Sequence, residues 1–320
     1  ITPLLILPMH HIFAITLGLL VPLIGGCCNV LCSGPRRIKY FLDNYPISGM
    51  FIVPLMAETL AAEIWREAKR QKRTAILKAL LLLSNTLYRL GLDVRRVLLR
   101  SVRKNFGGRL KILVSGGGQL SADLHSLFRG LGIALFNGYG ITEGGGAVSV
   151  GRQHYWRDGS VGVPLRNISV KIADGGEILI YGKNVFLGYY GDPEATAVSF
   201  TEEGWFKTGD LGYFDEDGFL FLTGRIKNLI ITANGENVSP EGLEEKIIQI
   251  PGVKEVLVYQ EGNEIIAEIY PDPENPDAAA QIPAAVDELN RKLPLYSQIA
   301  RTKLRGSEFP KTATMKVKRN

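Results

Sequence analysis

Four short runs in this 320-residue chain carry side chains that could do chemistry, and three of them combine these side chains with glycines. The runs are Asn137-Gly-Tyr-Gly-Ile-Thr-Glu143, Trp205-Phe-Lys-Thr-Gly-Asp210, Gly224-Arg-Ile-Lys227 and Pro310-Lys-Thr-Ala-Thr-Met-Lys316. They supply a hydroxyl, two carboxylates, a guanidinium, an ammonium and an aromatic ring. Glycine turns let the backbone approach a ligand closely, and the charged and aromatic groups suit a phosphate, a sugar and a base. The sequence therefore predicts a nucleotide site.

The first run follows a strand-like segment, Ala134–Phe136, and is expected to form a turn. On that turn Tyr139 offers a ring for stacking, Thr142 a hydroxyl and Glu143 a carboxylate. Mg²⁺ prefers carboxylate and phosphate oxygens, so Glu143 is a candidate metal ligand beside a phosphate. The plain alternative is a loop with a solvated glutamate.

Two better-known nucleotide signatures do not fit. The spacing Gly138-x-Gly140-x-x-x-Gly144 is one residue longer than the dinucleotide-binding fingerprint, and the phosphate-loop pattern that ends in Gly-Lys-Ser/Thr occurs nowhere in the chain. The sequence thus argues against a dehydrogenase and against a P-loop fold.

Asp210 is expected in a loop after an aromatic pair, and Arg225 just beyond a strand. A carboxylate can accept hydrogen bonds from both ribose hydroxyls, and a guanidinium can donate a planar fork to the same sugar or to phosphate. Each alone is more often a surface charge. Their joint occurrence near a domain boundary favours a nucleotide-binding role.

Two further segments have a functional and a plain interpretation. Residues 115–118, Ser-Gly-Gly-Gly, lie between the strand-like Lys111–Val114 and a helix start at Ser121, so they form either a ligand-approach loop or an ordinary tight turn. Lys316 lies in a basic segment without hydrophobic period. It is either part of a solvated tail or a mobile ammonium that stabilises charge developing at a phosphate.

The elements that must position these groups follow from the apolar pattern. Over residues 1 to about 159, short apolar runs alternate with helical patterns such as the amphipathic stretch Glu58–Leu99, which favours an α/β domain with a largely parallel sheet. Residues 160–224 favour a small β-rich subdomain. Residues 225–320 favour a compact α+β domain, joined through a short hinge at Gly224–Asn228.

One helix of that last domain is predicted over residues 240–250. Ser239 is a good N-cap, and Pro240 suits the first helical position. Leu243, Ile247 and Ile248 give that helix an apolar face.

Composition limits the class of protein. A content of 46% hydrophobic and 22% charged residues is that of a globular protein, and a net charge of +5 without an aromatic-interleaved basic stripe argues against nucleic-acid binding. Cys27, Cys28 and Cys32 are expected to be reduced, buried thiols. They end an apolar run over residues 12–32 that is long enough to span a bilayer, but Pro22 and a Gly-Gly pair divide it into a helix, a turn and a short strand.

As an ordered set, these motifs resemble those of the adenylate-forming (AMP-binding) enzymes, most closely the long-chain fatty acyl-CoA synthetases. The resemblance extends from Leu7-Pro-Met-His-His11 to Lys316-Val-Lys-Arg319. It implies the C-terminal part of the large AMP-binding domain over 1–224 and a mobile small domain over 225–320. It also implies activation of a fatty acid with ATP and Mg²⁺ to an acyl-adenylate, followed by acyl transfer to coenzyme A.

The resemblance assigns most nucleotide contacts to five side chains. Tyr139 is expected to pack on adenine, Thr142 to contact phosphate and Glu143 to bind Mg²⁺. Asp210 and Arg225 are expected to hold the ribose. Further nucleotide contacts are implied for Gly116, Gly117, Gly118, Asn137 and Gly138.

The remaining roles are also implied by the resemblance. Lys316 matches the adenylation lysine and Lys227 the hinge position. Gly235 matches the loop that lines the pantetheine tunnel, and His11 an aromatic position near the acyl pocket.

The chain departs from the family pattern in three ways. The Ser/Thr/Gly-rich phosphate loop, which lies upstream of the Leu-Pro-x-His-His segment in the family, is absent. Ile1 therefore reads as an N-terminal truncation, and the chain alone is expected to have little or no adenylation activity. Gly144-Gly-Gly146 replaces Thr-Ser-Pro, which is expected to loosen that turn, and Met315 stands where many relatives have glycine.

Alternatives stay open at this stage. The acyl acceptor could be an acyl carrier protein, the acid could be aromatic or short, or the chain could be a non-catalytic nucleotide- or acyl-binding remnant. The sequence does not specify the acyl chain length or the oligomeric state. A cytoplasmic enzyme, with peripheral membrane contact as an option, is expected because fatty substrates partition into membranes and the protein is mildly basic.

Overall fold

The computed structural model describes residues 1–118, 120–152, 155–232, 235–312 and 317–319, apart from the Pro35 side chain. The chain divides into two compact units. The first unit comprises Ile1–Lys171, Leu179–Lys207 and Phe214–Phe221, and the second comprises Ile172–Ile178, Thr208–Tyr213 and Leu222–Asn320.

A seven-stranded sheet forms the centre of the first unit. Its strands are β1 (Pro3–Leu5), β2 (Val30–Leu31), β3 (Gly49–Ile52), β4 (Ile112–Gly116), β5 (Ala134–Tyr139), β6 (Ser149–Val150) and β7 (Val163–Pro164). The order is β2-β1-β3-β4-β5-β6-β7; the pairings from β2 to β5 are parallel, and the last two are antiparallel. The predicted α/β architecture with a largely parallel sheet is confirmed.

Along the chain, helices lie between the strands of this sheet. They are α1 (Val21–Ile24), α2 (Ile38–Asn44), α3 (Pro54–Arg70), α4 (Thr74–Arg89), α5 (Arg95–Leu98), α6 (Arg100–Lys104) and α7 (Ala122–Gly130), with a π-helix at Ala14–Leu20 and 3-10 turns at Pro35–Arg37 and Thr142–Gly144. The amphipathic stretch Glu58–Leu99 is therefore not continuous, since Lys72 takes a positive φ of 56° between α3 and α4. Leu60 and Ile64 of α3 and Leu77 and Leu81 of α4 are buried in the core.

The strand, glycine turn and capped helix expected after residue 111 are present. β4 ends at Gly116, and α7 begins after Ser121, whose hydroxyl accepts a hydrogen bond from the Leu124 amide at 3.3 Å. The cap satisfies one of the amide groups that a helix start leaves without an intrahelical partner.

The β-rich segment holds four strands and one helix. They are β8 (Ile168–Ile172), β9 (Glu177–Gly182), β10 (Phe206–Phe214), β11 (Leu220–Arg225) and α8 (Pro193–Ser199), and the strand order is β11-β10-β9-β8. The predicted hairpin turn closes through the Gly218 amide, which donates to Asp215 O at 3.0 Å. β10 starts at Phe206, so the loop predicted around Asp210 is wrong, and the strand alternation continues through it.

The second unit contains the remaining elements. They are β12 (Ile230–Ile231), β13 (Asn237–Val238), β14 (Val253–Glu261), β15 (Glu264–Pro271), β16 (Arg301–Leu304), α9 (Pro240–Ile247) and α10 (Ala278–Asn290). β14 and β15 form an antiparallel hairpin, and β16 joins β15 in parallel. Ser239 caps α9 as predicted, by accepting from the Gly242 amide at 3.2 Å. α9 is shorter than predicted; Leu243 and Ile247 of its apolar face are buried, whereas Ile248, just beyond the helix, is 39% exposed.

The apolar run over residues 12–32 forms the π-helix, α1 and β2, in line with the predicted helix, turn and strand. The three cysteines in it carry no disulfide, but the prediction that they are buried is wrong: Cys28 is exposed, and Cys27 and Cys32 are half-buried. Across the described part of the chain, no helix has both the length and the apolar character needed to traverse a bilayer.

Two neighbouring glycines after α6 allow a test of a close backbone approach. Gly107 and Gly108 have φ values of 67° and 70°, but a Cβ on Gly107 would lie 2.0 Å from Leu42 O, whereas one on Gly108 meets nothing within 4 Å. We expect Gly108→Ala to cost about 1 kcal/mol through the left-handed backbone, and Gly107→Ala to cost clearly more. Urea unfolding of both variants measures the difference, and equal losses would contradict the clash.

The second unit contains a carboxylate at the centre of a charged cluster. Glu244 on α9 pairs with Arg319 and accepts a hydrogen bond from the Val258 amide at 2.7 Å. Burial raises the pKa of Glu244 from its ordinary 4.5 to about 7, against the opposing effect of the Arg319 charge. A raised pKa means that the folded protein favours the protonated form.

The stability contributed by this protonation is therefore fully present below pH 4.5 and is lost as the pH rises through about 7. We expect Glu244→Gln to flatten this part of the pH dependence of the unfolding free energy. Glu288→Gln is the control, because Glu288 is a solvent-exposed member of an ion pair with Lys292. Unchanged slopes in Glu244→Gln would refute the assignment.

Candidate functional site

The predicted glycine turn and the predicted nucleotide motif lie side by side in the first unit. β4 and β5 pair in parallel with Ser115 opposite Asn137 and Gly116 opposite Gly138. The carboxyl ends of both strands therefore meet at one edge of the sheet, which is where ligands bind in open sheets of this type. Gly117 and Gly118 follow at this edge and are exposed.

Tyr139 is in a different local structure from the one predicted. β5 does not end at Phe136 but continues to Tyr139, so Asn137, Gly138 and Tyr139 are strand residues. The Tyr139 ring is 6% exposed, in the alternation that also buries Leu135 and Asn137. The polar and glycine residues concealed the end of the strand because they interrupt its apolar pattern.

Two buried polar atoms at this edge have no hydrogen-bond partner within the described residues. They are Ser115 Oγ and Asn137 Oδ1, on directly paired positions of β4 and β5. A buried polar atom without a partner costs free energy, and such atoms in native proteins usually mark a function or a bound molecule. A hydrogen-bond donor on a bound molecule or an ordered water would satisfy Asn137 Oδ1.

The turn after β5 is held by its own backbone. The amides of Gly144 and Gly146 donate to Ile141 O, at 3.2 and 3.0 Å, and the Asn184 side-chain amide donates to Gly144 O at 2.8 Å. A Cβ on Gly140 would lie only 2.3 Å from Gly146 O. The three glycines were expected to loosen this turn, but these hydrogen bonds close it.

Glu143 on this turn has a partner that the sequence analysis missed. The Tyr189 hydroxyl donates a hydrogen bond to Glu143 Oε1 at 3.0 Å, and the Phe186 amide donates to Glu143 O at 2.8 Å. Burial, and then the hydrogen bond to Glu143, raise the pKa of Tyr189. The sequence signal that could have indicated this partner was the Tyr189-Tyr190 pair, which lies between two glycines and does not fit the apolar repeat of a helix or a strand. Thr142 is exposed next to Glu143.

The described residues at this turn supply only part of the ligand set that a metal ion needs. Among the residues described, no three His, Cys, Asp or Glu side chains come close enough to hold a metal. Glu143 therefore offers one carboxylate, which fits Mg²⁺ if phosphate oxygens and water complete its shell.

The His11 segment lies against both glycine turns. A Cβ on Gly116 would lie 3.1 Å from the Phe13 ring, and one on Gly146 would lie 3.3 Å from Ile12. His11 itself is exposed, and its Nδ1 accepts from the Phe13 amide at 3.3 Å. The segment predicted to lie near an acyl pocket therefore borders the predicted nucleotide site.

Asp210 and Arg225 come together within the second unit. Arg225 Nε lies 2.7 Å from Asp210 Oδ1, and the Asp210 carboxylate is almost fully buried whereas the Arg225 side chain is 45% exposed. Arg225 is the last residue of β11 and not a residue beyond it, and Asp210 lies inside β10. Thr208 Oγ1 accepts from the Asp210 amide at 3.1 Å and fixes this part of the strand.

The three remaining predicted site residues lie in the C-terminal part. Lys227 is exposed in the 3-10 turn Ile226–Asn228. Gly235 has a φ of 79° and donates its amide to Thr232 O at 2.9 Å. Lys316, together with Met315, falls outside the described residues.

Curated proteins named as long-chain-fatty-acid–CoA ligases are similar in sequence to parts of this chain. The long-chain-fatty-acid–CoA ligase FadD15 of Mycobacterium bovis is 37% identical over 252 residues, which cover 70% of this chain and 42% of that protein. The long-chain-fatty-acid–CoA ligase ACSBG1 of Rattus norvegicus is 38% identical over 149 residues, which cover 45% of this chain and 21% of that protein. The chain thus matches less than half the length of either relative.

Solved structures share the fold. o-Succinylbenzoate CoA synthetase (MenE) of Bacillus subtilis, in complex with the acyl-adenylate intermediate OSB-AMP, superposes with a TM-score of 0.75 at 25% identity, covering 99% of this chain and 59% of that one. ATP-bound MatB of Rhodopseudomonas palustris gives 0.76 at 24% identity, with 99% and 58% covered.

Family models match both parts of the chain. The model described as AMP-binding enzyme matches residues 2–190, and the model described as AMP-binding enzyme C-terminal domain matches residues 227–320. With the fold and the curated relatives, these matches show that the chain belongs to the adenylate-forming AMP-binding enzyme family, near the long-chain acyl-CoA synthetases.

Proposed function

We propose that the complete protein is an acid–thiol ligase that activates a long-chain fatty acid with ATP and transfers the acyl group to coenzyme A. The observation that carries the proposal is the register of β4 and β5, which sets Ser115 and Gly116 beside Asn137 and Gly138 in a chain of the AMP-binding family. The long-chain substrate and the coenzyme A acceptor rest on the names of relatives such as FadD15.

The proposed nucleotide contacts use groups with matching chemistry. Adenine packs on Tyr139 against the Gly116–Gly118 turn, and its exocyclic amine donates to the unpaired Asn137 Oδ1. Asp210 accepts from the ribose hydroxyls, and Arg225 orients that carboxylate through their ion pair. Thr142 donates its hydroxyl to a phosphate oxygen.

Glu143 is the proposed ligand for Mg²⁺. Bound Mg²⁺ neutralises phosphate charge and orients the nucleotide. The contribution of the chain is to fix the carboxylate: Tyr189 holds Oε1, and the hydrogen-bonded turn from Ile141 to Gly146 holds the backbone. A metal ligand fixed in this way loses less conformational entropy on binding.

The proposed reaction has two steps. An oxygen of the fatty acid carboxylate attacks the α-phosphorus, the bond from that phosphorus to the bridging oxygen breaks, and pyrophosphate leaves. The coenzyme A sulfur then attacks the acyl carbon, AMP leaves with the bonding electron pair, and the thiol proton passes to solvent. Lys316 is proposed to stabilise the negative charge in the first step.

The supporting segments have proposed roles as well. Lys227 lies in the exposed turn expected to act as a hinge, and Gly235 is proposed to line the path of the pantetheine arm. His11 is proposed to border the acyl pocket. A cytoplasmic location with peripheral membrane contact suits a fatty substrate.

An assay of both chain forms tests this function. With a long-chain fatty acid, ATP, Mg²⁺ and coenzyme A, we expect the complete protein to release pyrophosphate and to form acyl-CoA. The 320-residue chain is expected to release little, because the family's phosphate loop is absent from it. o-Succinylbenzoate and malonate serve as alternative acids, and an acyl carrier protein as an alternative acceptor. A complete protein inactive with every acid would overturn the ligase proposal.

Substitutions around Glu143 test the metal assignment in the complete protein. We expect Glu143→Gln to raise the Mg²⁺ concentration for half-maximal pyrophosphate release by about 100-fold, and Tyr189→Phe by about tenfold, because the first removes the ligand and the second its orienting hydrogen bond. Tyr190→Phe is the matched control, since Tyr190 is fully exposed. If the control shifts the Mg²⁺ curve as far as Tyr189→Phe does, the positioning role is wrong.

A further inference from the structure

A basic cleft lies in the first unit, apart from the candidate nucleotide site. It has a volume of about 590 Å³ and is bounded by α5, α6 and the segments that precede β3 and β4. Six of its lining residues are cationic: Arg96, Arg100, Arg103, Lys104, Arg109 and Lys111. We call this group and the space between them the basic cleft.

The charge of the basic cleft is only partly balanced by the part of the chain that the structure describes: Asp93, which pairs with Arg95, also attracts Arg96 and Arg103 beyond ion-pair distance. None of its lining residues is acidic, and none of the six cations takes part in an ion pair with a described residue. Other basic residues of the chain, such as Arg129 and Arg157, do pair with aspartates. Six like charges around one cavity repel one another, and an anion in the cavity relieves that repulsion.

Arg103 shows how this charge is built into the fold. Arg103 as a whole is only 5% exposed, and its guanidinium donates to two neutral acceptors, Leu131 O at 2.6 Å and Leu110 O at 2.8 Å. Burial, followed by the charges of Arg96 and Arg95, lowers the pKa of Arg103. The carbonyls satisfy its hydrogen bonds but do not neutralise its charge, which is costly in a buried group.

The basic cleft lies at the amino ends of β3 and β4, whereas the glycine turns lie at the carboxyl ends of β4 and β5. Ser48 and Lys111 line it and directly precede β3 and β4, whereas Gly116–Gly118 end β4 and follow it. Strand residues advance about 3.3 Å each, so about 16 Å of strand separates Lys111 from Gly116. An anion in the basic cleft is therefore not the nucleotide of the proposed reaction.

We propose that the basic cleft is a second binding site, specific for a multiply charged phosphate group. Arginine suits this ligand because its planar fork donates two hydrogen bonds to phosphate oxygens, and four of the six cations are arginines. The phosphate could belong to a soluble polyphosphate or to an anionic lipid headgroup. The second source is included because Val97, next to Arg96 on α5, is 78% exposed. This proposal does not depend on the proposed catalytic function.

Calorimetric titration with inorganic pyrophosphate tests the site on the 320-residue chain. The test variant is Arg100→Gln/Lys104→Gln, which removes two exposed cations of the basic cleft and leaves Arg103 in place. The control is Arg66→Gln/Lys69→Gln, which removes two exposed cations of α3 and changes the net charge equally. We expect the test variant to bind pyrophosphate about tenfold or more weakly and the control to bind as the unmodified chain does. Added salt is expected to weaken the unmodified interaction.

Vesicle flotation distinguishes the two sources of phosphate. Vesicles of phosphatidylcholine alone are compared with vesicles that also contain phosphatidic acid, whose phosphomonoester headgroup can carry two negative charges. Flotation only with the anionic vesicles, lost in the test variant, supports a lipid headgroup; pyrophosphate binding without flotation supports a soluble ligand. The proposal is overturned if neither probe binds, or if test and control variants lose binding equally. Thermal unfolding confirms that both variants are folded, since all four substituted side chains are exposed.

Discussion

The parallel pairing of β4 with β5 is the constraint on which the candidate site depends. Because Gly116 lies opposite Gly138, two glycine-containing turns leave the sheet at the same edge. A shift of one residue would send every side chain of β5 to the other face and move Asn137 and Tyr139 out of their buried positions. The turn that carries Glu143 follows β5 directly, and it requires glycine at position 140, because a Cβ there would lie only 2.3 Å from Gly146 O.

The structure could be predicted from the sequence where a single local rule decides it. Ser121 and Ser239 cap their helices because a hydroxyl at the N-cap matches a free amide, and the Asp215 turn closes as its residue types indicate. The sequence was insufficient where the sheet imposes its own alternation. Asp210 and Tyr139 look like loop residues by type, but hydrogen bonds to neighbouring strands keep them in β10 and β5. Propensity is weak against such pairing.

Contacts between distant parts of the chain explain the other misses. Tyr189 reaches Glu143 across 46 positions, and no local pattern around either residue specifies that hydrogen bond. The basic cleft has the same origin, because Arg96 and Lys111 belong to separate elements that only the fold brings to one cavity. The pairing of Asp210 with Arg225 was easier to anticipate, since β10 and β11 are neighbouring strands joined by a predicted hairpin turn.

The acidic and basic groups of the chain are held in opposite ways, and the difference bears on what they can bind. Glu143 and Asp210 are each held by a donor, Tyr189 and Arg225, before any ligand is present. In the proposed function a ligand meets carboxylates whose positions these donors already fix, so little conformational entropy is lost on binding. The basic cleft instead keeps its charges without acidic partners among the described residues, and Arg103 is buried at that cost. Such an arrangement favours an anion that brings the missing negative charge with it.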